Sequence, residues 1–342
     1  MRQVCGIHSV AMRLDATSSV VELPIELHDG LREVRAQLDA DPTEALPALR
    51  RRLAGLMAEG REAKDFMRRL LFVEAGLRLT LKAREDDSLF MLVQMLSDRE
   101  FGYSGTHALM AASACLLVAP LAGITGPPLT SLVRAALTMN IAMSEMQDTL
   151  ATQLQHTTSY QREAIESHPT EGAAMLRDLG VDDPLWLALV QDHHESPDGS
   201  GYPYRKTDLT AAQQLLRMSD LFIARISPRA SRRGLWPHVV VGNLYLESQA
   251  RASPLGGYFV RQMGMYPPGS YVRLKTDELA VVVRRGPRVN MPLTLALTDP
   301  DGVLLSTPAK RDTQLGLYAI TGSVSPEDIR IRLDRARLLK RL

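Results

Sequence analysis

Residues His193 to Pro203 read His-His-Glu-Ser-Pro-Asp-Gly-Ser-Gly-Tyr-Pro, two adjacent imidazoles followed at a fixed distance by a glycine-rich turn. No other stretch of the chain is so unlike ordinary core or surface. Neutral imidazole nitrogen and carboxylate oxygen suit zinc, iron and manganese, so paired histidines near carboxylates point to a transition-metal site or its remnant. The glycines after them would let backbone amides come close to an anion.

The chain around this segment reads as mainly helical. Asp41-Pro-Thr-Glu44 has the form of a helix start and Gly60 that of its stop, while Arg61 to Lys82 carries Phe66, Leu70, Leu71, Ala75 and Leu79 at helical intervals. Residues 1–95 are expected to form an N-terminal helical region serving packing or dimerisation. From there to about residue 250 the stripes Leu132 to Met143, Ala173 to Leu179 and Leu185 to Val190 keep the helical period. After Gly256-Gly257 the pattern changes: Ser270 to Arg285 and Pro292 to Leu305 alternate in part and are divided by Gly-Pro and Asp-Pro-Asp-Gly turns. Residues 258–342 are therefore expected to form a small β-barrel-like module. Its end, Ile329 to Leu342, carries a basic patch readable as a strand followed by a helix or as a solvated tail.

Composition narrows the partners. With 342 residues, 45% of them apolar, the chain is long enough for two or three units around a sizeable core, and a net charge of +1 gives no reason to expect a nucleic-acid polymer. Cys5 and Cys115 stand alone, so neither a disulfide scaffold nor a thiolate zinc site is supported, and a reducing cytoplasm is the expected location. The longest apolar run, Ala108 to Ile124, is broken by Pro120, and the N-terminus lacks a basic region followed by an apolar core; no membrane span or secretion signal is expected.

His107, His168, His193, His194 and Asp220 recur through the central region at intervals that a helical bundle would bring together, whereas His8, His28, His156 and His238 read as surface or capping residues. Here the chain resembles the HD-GYP domain family. His193-His194-Glu195, Asp198-Gly199 and Gly201-Tyr202-Pro203 are similar to its signature, His107 to its first histidine, His168-Pro169 to its His-Pro helix start, and Arg217-Met-Ser-Asp220 with Ser227-Pro-Arg229 to the segment of its last metal-binding aspartate. The resemblance covers roughly residues 96–235. It implies a helical HD-type bundle over residues 96–250 and a metal-dependent phosphodiesterase ancestry directed at cyclic di-GMP. It also implies candidate metal ligands His107, His168, His193, His194 and Asp220. The ligand-binding candidates are Asp198, Gly199, Gly201, Tyr202, Pro203, Arg217 and Arg229, with Arg232 beside them.

The pair that names the wider superfamily is missing. Where the family carries His-Asp after an Ala-Ala-Leu run, this chain has Met139-Asn140. Met143 stands at the following lysine position, and Tyr103 stands where some members carry glutamate. Two divalent ions about 4 Å apart repel by roughly 17 kcal/mol at an effective dielectric of about 20, so a dinuclear site needs a bridging anion that Asn140 cannot supply. One divalent transition metal (Fe, Mn or Zn), or none, is expected. Two readings stand: a degenerate signalling protein, without catalytic residues, that binds cyclic di-GMP or a protein of that signalling system, and a phosphodiesterase working with an altered, mononuclear site. A homodimer is compatible with either.

Overall fold

The computed structural model of the chain describes residues 41–340. The expectations for Cys5, His8, His28 and the rest of residues 1–40 lie outside the described residues. Helix α1 (Pro42–Ala58) begins where the sequence places it: Asp41 accepts from the Thr43 backbone N–H, Pro42 takes the first position, and Glu44 sits in the first turn. Helix α2 (Phe66–Ala83) starts five residues later than Arg61, because residues 60–62 form a 3-10 turn entered through Gly60 at φ +53°. There follow α3 (Glu85–Ser97), α4 (Ser104–Val118), α5 (Gly126–Thr138), α6 (Ser144–Thr152), α7 (Ser159–Asp178), α8 (Pro184–Asp192), α9 (Ala211–Ile226), α10 (Pro237–Gln249) and α11 (Leu255–Met263).

One continuous apolar core runs through these helices, from Leu46 in α1 to Met263 in α11, so α1 and α2 pack as part of the central body. At its centre lies α4, every residue of which is buried. Ser104–Ala122 is long and apolar enough to cross a membrane by composition, but 83% of that stretch is buried inside the fold, as expected for a core helix.

The C-terminal module is a five-stranded antiparallel sheet of β1 (Tyr271–Leu274), β2 (Leu279–Arg284), β3 (Leu293–Thr298), β4 (Leu304–Asp312) and β5 (Ile320–Val324), in the order β4-β3-β2-β1-β5. The expected barrel is not formed: β4 and β5 are opposite edges and do not pair, so the sheet stays open. Alternation explains why it has no need to close. Val281, Val283, Leu295 and Leu297 face into the helical core, while Val272, Leu274, Ala280 and Val282 form a second small cluster with Tyr266, Tyr318 and Ile320. Arginines clamp the sheet to α3. Arg285 bonds Asp86 at 2.6 Å and also Glu85, and Arg284 bonds Asp87; all three acids lie in the first turn of α3, where the helix dipole favours them.

Helix α11 straddles the boundary expected at residue 258 and packs on α10 and α4; the sheet begins at Tyr271. The basic C-terminal stretch resolves into a short helix, α12 (Arg335–Leu339), with Leu338 and Leu339 buried and Arg335 donating to Asp98 at 2.7 Å.

Candidate metal centre

His168 lies inside α7, directly before Pro169. Proline has no N–H, so the Ile165 carbonyl four residues back lacks its helical donor. His168 takes that place: its Nδ1 lies 2.6 Å from the Ile165 oxygen. A carbonyl only accepts, so Nδ1 carries the hydrogen and the lone pair sits on Nε2. His193 reaches the same state by another route. It follows the last residue of α8, where carbonyls have no helical partner, and its Nδ1 lies 2.6 Å from the Val190 oxygen.

The two Nε2 atoms are 3.1 Å apart, both buried, with a lone pair on each. Two acceptors so placed are unfavourable alone and well suited to a cation between them. His194 completes a group whose ligand atoms lie within 4.8 Å of one another. Burial pushes His168 down to about 3, helped by His193, and lowers His193 and, much further, His194. All three imidazoles are therefore neutral at pH 7, the form that binds metal.

The glycine-rich turn holds this arrangement in place. Tyr202 stacks on His194 with ring centres 4.7 Å apart, and its N–H bonds the His194 carbonyl at 3.3 Å. A Cβ on Gly201 would lie 2.3 Å from the Ser196 nitrogen and 2.5 Å from the His194 oxygen, so only glycine fits there. The anion to which the turn's amides turn is the chain's own: Glu195, fully buried, accepts from the N–H groups of Tyr204 at 2.6 Å and Lys206 at 2.8 Å, and Asp198 accepts from Ser200 at 3.0 Å. Gly199 adopts φ +73° and the Tyr202–Pro203 bond is cis.

His107 and Asp220 come together with each other. His107 Nε2 lies 2.9 Å from Asp220 Oδ1, and its Nδ1 lies 3.0 Å from the Tyr103 hydroxyl. Burial opposes its charge, yet Tyr103 and Asp220 lift His107 to about 9. Burial likewise opposes the charge of Asp220, and the His107 hydrogen bond outweighs it, holding the carboxyl below the usual range. The second Asp220 oxygen stands 3.7 Å from His194 Nδ1, so this carboxylate joins the two halves.

Met139 and Asn140, expected from the resemblance to stand in place of a His-Asp pair, form a turn. It closes α5, leads into a 3-10 turn at Ile141–Met143, and packs on α7 at Gly172, one turn beyond His168. Met139 is buried in the apolar core. Asp148, eight residues beyond Asn140, caps α4 from outside: it accepts from the N–H groups of Tyr103 at 2.8 Å and Ser104 at 2.7 Å and from the Ser104 hydroxyl. The capping function of Asp148 and the hydroxyl of Tyr103 carry no local sequence signal. Pro169 after His168 was the legible clue to the freed carbonyl.

The remaining candidates lie around this centre. Arg217 pairs with Glu247 at 3.0 Å and Asp198 with Arg251 at 3.4 Å, on the side of α10. Arg229 stands over the Tyr103 ring, 5.4 Å from its centre, and keeps its Nε buried without a partner. Arg232 is exposed beside it, and the two backbones are bonded to each other. His238 is half-buried and meets Ser323 at 2.8 Å, at the seam between α10 and β5.

The profile of the HD domain family matches residues 91–249. The cyclic di-GMP phosphodiesterase PA4108 of Pseudomonas aeruginosa is 24% identical over 278 residues, covering 79% of this chain. The chain spans 66% of that relative's own length. Among solved structures, Bd1817, an HDG"Y"P protein from Bdellovibrio bacteriovorus, aligns with a TM-score of 0.47 and 15% identity over 63% of this chain and 69% of its own.

Proposed function

Residues 91–249 of this chain belong to the HD domain family, and on that premise we propose that they form a degenerate HD-GYP-type signalling module that binds cyclic di-GMP without hydrolysing it. The observation that carries this reading is the asymmetry of the centre. His168, His193 and His194 are arranged as a three-imidazole site, and the position of the bridging carboxylate is occupied by Asn140. The three imidazoles suit one zinc, iron or manganese ion, with Asp220 near enough to His194 to contribute. Such an ion, when bound, supplies Lewis-acid charge to a phosphate oxygen. Among the described residues no carboxylate is grouped with the three imidazoles, and Met143 in the lysine position leaves out a cation that would stabilise departing charge.

Recognition falls to the protein's own donors. The Arg232 guanidinium, which lies at the surface and donates to the Ala224 carbonyl, and Arg229 beside it, whose buried Nε has no partner, are the candidates to meet a phosphodiester; Arg217 and Asp198 are held in ion pairs with Glu247 and Arg251. The similarity to a cyclic di-GMP phosphodiesterase supports that ligand class. A cytoplasmic setting fits a nucleotide messenger. Isothermal calorimetry tests the proposal: the native chain is expected to bind cyclic di-GMP, and an Arg229→Ala, Arg232→Ala double variant to lose at least about tenfold in affinity. Absence of binding by the native chain would overturn the nucleotide reading and leave a partner protein of the same signalling system as the ligand.

A further inference from the structure

The two tryptophans of the chain sit in opposite settings. Trp186 is buried in the core, and its indole N–H bonds the Thr138 hydroxyl at 2.9 Å. Trp236 is 51% exposed, and its indole N–H has no acceptor among the described residues. Leaving so large an apolar ring in water forgoes transfer free energy that burial would recover. The ring is nevertheless held in place. His238 lies almost parallel to it, at an interplanar angle of 13° with 5.9 Å between ring centres, and is itself held by Ser323 at 2.8 Å and by the Tyr266 ring at 5.3 Å.

Beside this indole stands a cation. The loop after α9 doubles back on the end of that helix: the Leu235 N–H bonds the Arg225 carbonyl at 2.8 Å, and a Cβ on Gly234 would lie 2.1 Å from the Ile226 oxygen, so the close approach requires glycine. The Arg232 guanidinium donates to the adjacent carbonyl, that of Ala224, at 2.5 Å. Successive Cα atoms are about 3.8 Å apart, so this guanidinium and the residue leading into Trp236 hang side by side from the end of α9. Arg233 is taken up by Asp328 at 3.0 Å, whereas no acid among the described residues pairs with Arg232.

A fixed indole next to an unpaired guanidinium matches the two parts of a nucleotide, since a base stacks on an aromatic face and a phosphate takes charge-assisted hydrogen bonds. We propose that Trp236 is the platform on which one guanine of cyclic di-GMP stacks while Arg232 holds the adjoining phosphodiester. This rests on the cyclic di-GMP reading above and extends its site from the two arginines to the start of α10. Every base has a π-face, so Trp236 contributes affinity and not the choice of base. A partner protein covering Leu235, Trp236 and Val239, all exposed, would ask only for an apolar side chain at 236, and that difference separates the two.

Trp186 is enclosed in the core, so tryptophan fluorescence during a titration with cyclic di-GMP reports on Trp236. The full-length native chain is expected to lose emission along the same binding curve that calorimetry gives, and Trp236→Phe, which removes that reporter and keeps an aromatic face, to lose the quenching while staying within about threefold of the native affinity. Trp236→Leu, which keeps an apolar side chain without a platform, is expected to bind about tenfold more weakly. Binding in calorimetry with emission unchanged, quenching that persists in Trp236→Phe, or native affinity in Trp236→Leu overturns the platform and leaves the cyclic di-GMP reading standing. No binding by the native chain overturns both. Should Trp236→Leu not fold, the quenching of the native chain and its loss in Trp236→Phe decide the matter.

Discussion

His168 is held neutral by burial, and His107 is held charged against burial by Tyr103 and Asp220, so their contributions to stability run in opposite directions with pH. For His168 the folded value, about 3, lies below the ordinary 6.5: its contribution is present above pH 6.5 and is lost as pH falls toward 3. For His107 the folded value, about 9, lies above 6.5, so its contribution is full below pH 6.5 and is lost as pH rises through 9. Each group changes the slope of unfolding free energy by at most about 1.4 kcal/mol per pH unit within its window. Urea denaturation of the metal-free protein is therefore expected to show an acid limb that flattens in His168→Gln and a basic limb that flattens in His107→Gln. Profiles parallel to the native one would contradict both assignments.

Among the elements, α4 most clearly links fold and site, because it carries His107 through the middle of the core and its start is fixed from another part of the chain. Asp148 satisfies the first amides of α4 across more than forty residues of sequence. Replacement by alanine is expected to cost about 1–2 kcal/mol, read by urea denaturation, with earlier hydrogen exchange in the first turn of α4. An unchanged midpoint would remove Asp148 from this role. The contrast with other helix starts shows what a sequence can disclose. Asp41 before Pro42 is a local cap and was legible, whereas the cap on α4 acts in trans and was not. The sheet follows the same rule. Alternation placed the strands between Ser270 and Leu305 well, but closure depends on whether β4 meets β5, and here one face of the sheet is covered by helices instead.

Across the whole molecule, the centre is assembled from α4, α7, the end of α8 and α9, with His107 and Asp220 meeting across 113 positions of sequence. The identities of the histidines were legible because the His-His-Glu to Gly-Tyr-Pro segment and His168-Pro169 are compact patterns. Which nitrogen each histidine offers was not, since that depends on a carbonyl freed by Pro169, a carbonyl at the end of α8, and the placing of His107 between Tyr103 and Asp220. The fold thus sets a cluster of three buried imidazoles beside a hydrogen-bonded His107–Asp220 pair. The central claim is tested most directly by counting metal ions per chain in the native protein and in His193→Ala, each assayed alongside for cyclic di-GMP hydrolysis with manganese or iron. One ion in the native chain, none in the variant and no turnover by either is the expected result; two ions in the native chain, or turnover that disappears in His193→Ala, would contradict the account.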